Sequence, residues 1–73
     1  MITGPQAVEL ARARAAEQGW AFVEPVDLVE RRSWAGAVIR YEIATNAGKL
    51  GAKARFVVDA ASGQILSEGY VKR

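Results

Sequence analysis

Seventy-three residues without cysteine or histidine can build one hydrophobic core and no more, lacking both disulfide staples and the usual soft ligands of a structural zinc. Apolar residues make up 51% and charged residues 25% of the chain, a globular balance that excludes a disordered tail, and no apolar run approaches the roughly 18 residues that span a bilayer. The net charge of +2 is unevenly spread, because residues 31 to 55 carry Arg31, Arg32, Arg40, Lys49, Lys53 and Arg55 against Glu42 alone, +5 locally with −3 for the remainder; this fits an anionic partner, or a hairpin whose solvated positions happen to be Arg and Lys.

The first element is a helix that Thr3 can cap, with Gln6 three residues on as the second half of a capping box and Pro5 in the first turn, where a missing N–H costs nothing. Ala7, Val8, Ala11 and Ala15 share one face at helical spacing, with Leu10 at its flank. This alanine-rich stripe lets a helix lie close to a sheet, so the bulky core side chains must come from strands. Gly19 supplies a left-handed stop, and Trp20 is placed for the apolar contact back onto the last turn that accompanies such caps.

From Phe22 onward the apolar period changes from 3.6 to about 2. A first strand is expected over Val23 to Arg32, with Pro25 marking either an edge position or a start after the proline. The second, Ala37 to Thr45, alternates Ala37, Ile39, Tyr41 and Ile43 with Val38, Arg40, Glu42 and Ala44. After a break over Asn46 to Gly51, a third strand, Lys53 to Asp59, turns Ala54, Phe56 and Val58 inward. Asp59-Ala60-Ala61-Ser62-Gly63 then forms a turn, with Asp59 accepting backbone N–H groups and Gly63 at positive φ, leading into a last strand of about Gln64 to Val71.

These elements predict an α+β fold over residues 1–73, one N-terminal helix packed on one face of a three- or four-stranded antiparallel meander, with no repeat or linker. If Val58 faces Ile65, continuous alternation puts Phe56 opposite Ser67 and Ala54 opposite Gly69 on the helix side. The open face then carries Val38, Arg40, Glu42, Lys53, Arg55, Val57, Leu66, Glu68 and Tyr70, and either something covers it or it covers itself with cross-strand pairs such as Arg55 with Glu68. That mixture is too apolar to be plainly solvated.

Without histidine or cysteine the commonest general base, metal ligand and thiolate nucleophile are missing. Ser62 sits in a tight turn that explains it, Asp59 reads as the anchor of that turn, and Glu24, Asp27 and Glu30 fall on two faces of an edge strand rather than converging. Gly48 and Gly51 lie between strands, so they make no strand-to-helix phosphate loop. No catalytic, cofactor-binding or metal-binding residue is therefore expected. Trp20 reads as core or cap packing. Trp34, within Arg31-Arg32-Ser33-Trp34-Ala35-Gly36 at a hairpin tip, is either folded back on the sheet or offered to a partner.

The opening Ile2-Thr3-Gly4-Pro5-Gln6-Ala7, the Tyr41-Glu42-Ile43 strand, the Gly48-containing loop and, above all, Phe56-Val57-Val58-Asp59-Ala60-Ala61-Ser62-Gly63-Gln64-Ile65-Leu66 resemble the PepSY domain, found in peptidase propeptides and bacterial envelope proteins. The likeness spans nearly the whole chain. It implies a small non-catalytic module, without cofactor, that binds and restrains peptidases, and it implies a place outside the cytoplasm. Met1 to Leu10 has neither the basic nor the apolar region of a secretion signal, so the sequence by itself reads as cytoplasmic or as the mature part of something longer. Three readings follow: a protein-binding or regulatory module, peptidase-inhibitor-like; a nucleic-acid or polyanion binder, which no recognisable motif supports; and a self-associating module that enlarges a small core. The candidate partner-binding residues are Trp34, Arg31, Arg32, Arg40, Arg55 and Tyr70.

Overall fold

The computed structural model describes residues 1–46 and 51–71. Its elements follow the chain as α1 (Gly4–Gln18), β1 (Asp27–Arg32), β2 (Val38–Ala44), β3 (Lys53–Asp59) and β4 (Ile65–Val71). The strands form one antiparallel sheet in the order β1-β2-β3-β4, with α1 against β1, β2 and β3 on one side. This is the expected α+β meander. No helix among the described residues is long and apolar enough to cross a membrane.

Helix α1 begins where the sequence places it. The Thr3 hydroxyl accepts the Gln6 N–H and the Gln6 side chain accepts the Thr3 N–H, closing the capping box. At the other end Gly19, at φ 74°, donates to Ala16 O while Trp20 N–H donates to Ala15 O at 2.8 Å. This pair of bonds satisfies carbonyls the helix would otherwise leave open and needs a left-handed residue between them.

The alanines of the apolar stripe are sunk completely: Ala7, Ala11 and Ala15 are fully buried, while Val8 is half-buried and Leu10 exposed. Opposite them stand Tyr41, Ile43, Ala54, Phe56 and Val58, so the sheet supplies the volume and the helix supplies proximity. The Tyr41 hydroxyl donates to Ile2 O, and Ile2 N–H donates to Ala60 O, which straps the start of the chain to the sheet. At the far end of β2, Thr45 is buried with its hydroxyl accepting from Ala54 N–H at 2.8 Å, and Asn46 N–H donates to Val23 O. The stretch between α1 and β1 is thereby tied down. Lys49, assigned to the basic cluster from sequence, lies outside the described residues.

Strand β1 begins after Pro25 and is an edge, so both meanings of that proline hold. Two register shifts overturn simple alternation. Between Arg31 and Arg32 the β2 partner advances from Arg40 to Val38, leaving Ile39 as an extra residue that is 42% exposed while Val38 packs against the core. Between Val57 and Val58 the β4 partner advances from Ser67 to Ile65, leaving Leu66 as the extra residue. Val58 faces Ile65 as expected, but Phe56 faces Glu68 and Ala54 faces Tyr70. A bulge inserts one residue and so flips everything beyond it to the opposite face. Glu68 and Tyr70 therefore stand on the helix side, not on the open face.

Candidate uncovered sheet face and hairpin tip

The second face of the sheet is built from three rows of cross-strand neighbours. Asp27, Ala44, Arg55 and Gly69 form one row; Val29, Glu42, Val57 and Ser67 the next; Arg31, Arg40 and Asp59 the third. No other described element lies over this face. Val29, Ala44 and Val57 are half-buried by their neighbours alone, and with Asp27, Glu42, Arg55 and Ser67 they border a shallow hollow of about 400 Å³. Gly69 beside Arg55 has open space where a side chain would stand.

The charges on this face divide into paired and unpaired. Arg31 and Arg40 lie directly opposite each other, and Glu42 sits between them, accepting from Arg31 at 2.8 and 3.2 Å with Arg40 at 3.6 Å. The Arg31 hydrogen bonds hold the Glu42 carboxyl below its ordinary range and raise the Arg31 guanidinium correspondingly. Arg32 donates to Glu30 and to Gly36 O. Among the described residues, neither Arg55 nor Lys53 makes a side-chain hydrogen bond or ion pair. Two cations thus stand free next to an apolar floor.

At the β1–β2 tip Ser33 N–H donates to Ala37 O and Gly36 N–H to Ser33 O, a tight reversal that leaves its second residue, Trp34, nothing to fold against. The Trp34 side chain is 101% exposed. Of the two placements open in the sequence, the structure takes the outward one. The chain matches no family model, no curated protein and no solved structure among known proteins.

The predicted site residues therefore separate. Arg31, Arg32, Arg40 and Trp34 gather at and near one end of the β1–β2 hairpin, and Arg55 lies further along the same sheet. Tyr70 leaves the group: its ring stacks on Trp20, centroids 5.5 Å apart at 8°, within an aromatic cluster that includes Phe56 and Phe22. The expected Arg55–Glu68 pair does not form, because Glu68 lies under α1 and takes Arg14 through two bonds, 2.6 and 2.9 Å, plus one from Gln18. Asp27, Val29, Ala44 and Ser67 belong to the open face but were not singled out for it. Pairing β1 to β2 from Asp27 onward would have found the first three.

The polar groups that could mimic a catalytic set are consumed locally. Ser62 Oγ donates to Asp59 Oδ2 at 2.8 Å and accepts from Gln64 N–H, while Ser62 N–H donates to the same carboxylate. These bonds hold the Asp59 carboxyl below its usual range, as expected of a turn anchor. No group of three His, Cys, Asp or Glu among the described residues could hold a metal.

Proposed function

We propose that this domain is a non-catalytic protein-binding module of PepSY-like type, which holds its partner on the uncovered sheet face and the Trp34 tip and restrains a peptidase. The observation that carries the proposal is the combination on one face of a half-buried apolar floor, Val29, Ala44 and Val57, with Arg55 and Lys53 free of ion pairs. A partner that lays apolar and acidic groups there removes the floor from water and meets cations that surrender no existing partner. Trp34 adds a rigid anchor of the kind that dominates binding energies. The peptidase as partner class comes from the PepSY resemblance of the Phe56 to Leu66 hairpin, not from the surface.

The charge arrangement favours protein over nucleic acid. A polyanion binder needs its arginines available to phosphates, whereas Arg31, Arg32 and Arg40 already engage Glu42 and Glu30. Immobilised protein incubated with an extract of its source, followed by an inhibition assay on any peptidase retained, tests the reading. Trp34→Ala and Arg55→Glu are expected to weaken capture, the tryptophan change by about 2 kcal/mol or more. Absence of any partner at micromolar concentration, or equal capture by both variants, contradicts it.

A further inference from the structure

From the unequal protection of the two sheet edges, we infer that a second copy of this chain pairs along β4, giving a closed two-fold dimer with a continuous eight-stranded sheet. The inference is independent of the open-face reading, since it concerns the rim of the sheet. An edge strand exposes unpaired backbone groups and invites another strand unless charge, proline, a bulge or coverage prevents it. Strand β1 has that protection: Pro25 precedes it, and Asp27, Glu30, Arg31 and Arg32 occupy four of its six positions. Strand β4, Ile65–Val71, carries Glu68 as its single charge among seven residues, and its bulge at Leu66 lies near its start, leaving residues 67–71 as a regular edge.

That one charge is already neutralised within the subunit. Arg14 and Gln18 hold the Glu68 carboxylate from the helix side, so the two Glu68 side chains add no like-charge repulsion between approaching β4 edges. Apolar groups flank the same rim. Leu66, the bulged residue, is 55% exposed, Val71 is 53% exposed, and Leu10 of α1 stands exposed beside the turn that leads into β4. The core is short of volume, with five alanines among the nine buried apolar residues of the described chain. Burying these side chains between copies enlarges it.

The occupant follows from the same asymmetry. Pairing β4 of one copy with β1 of the next would build an open filament but must bring the charged edge into contact, whereas β4 with β4 uses one surface twice and closes. Sedimentation velocity on the whole chain, from micromolar to millimolar concentration, tests this. The wild type is expected to pass from monomer to dimer and no further. Leu66→Lys and Val71→Lys, each shown to be folded by circular dichroism, are expected to weaken the dimer by about tenfold or more, while Trp34→Ala leaves it unchanged. A wild type that stays monomeric throughout, growth beyond the dimer, or folded β4 variants that dimerise like the wild type would overturn the inference.

Discussion

Single residues decide how this small domain is held together, and the Arg14–Glu68 pair shows it most clearly. Glu68 is the one charge on β4, and it links α1 to the edge strand farthest from β1 through a two-bond contact. Hydrogen bonding to Arg14, reinforced by its charge, lowers the Glu68 pKa. A carboxyl lowered by folding contributes stability that is complete above its unfolded value of about 4.3 and is lost as pH falls through the lower folded value. Replacing Glu68 by Gln should therefore destabilise the domain near neutrality, modestly because the pair is partly solvated. Urea midpoints measured from neutral to strongly acid pH should show the gap between variant and wild type closing in the acid range. A constant gap would mean that packing, not charge, makes the contact.

At the scale of elements, the seam between helix and sheet depends on small side chains. Ala7, Ala11 and Ala15 are fully buried between α1 and the strands beneath. Enlarging Ala11 to Leu should cost about 1–3 kcal/mol through forced displacement, read as a lower thermal midpoint; an unchanged midpoint would show that the seam can open at little cost. The helix was legible because Thr3, Pro5 and Gln6 at its start and Gly19 at its end each act on backbone within a few residues of themselves. Strand β3 was legible to its ends because the Asp59–Gly63 turn closes it and a break in the apolar alternation of the sequence precedes it. The two bulges were not legible. Ile39 and Leu66 are apolar residues in apolar runs, so nothing local marks either as the extra one, and a period of two counted through them assigns Val38, Glu68 and Tyr70 to the wrong face. What sets the β4 bulge is long-range: it brings Glu68 to Arg14 and Tyr70 to Trp20.

At the scale of the whole molecule, a four-stranded sheet with a single helix has a covered face, an uncovered face and two edges, each with its own chemistry. Of the candidate site, the β1–β2 tip was legible because Arg31 to Gly36 is a short turn-forming stretch. The ion pairs that engage Arg31 and Arg40 were not, because they depend on which strand brings Glu42 between them. Amide chemical-shift mapping during titration with the captured partner tests the proposed recognition on the uncovered face most directly. Shifts should concentrate at Val29, Ala44, Arg55, Val57 and the Trp34 indole, with α1 unchanged. Perturbations confined to the outer surface of α1, with those five residues silent, would contradict it.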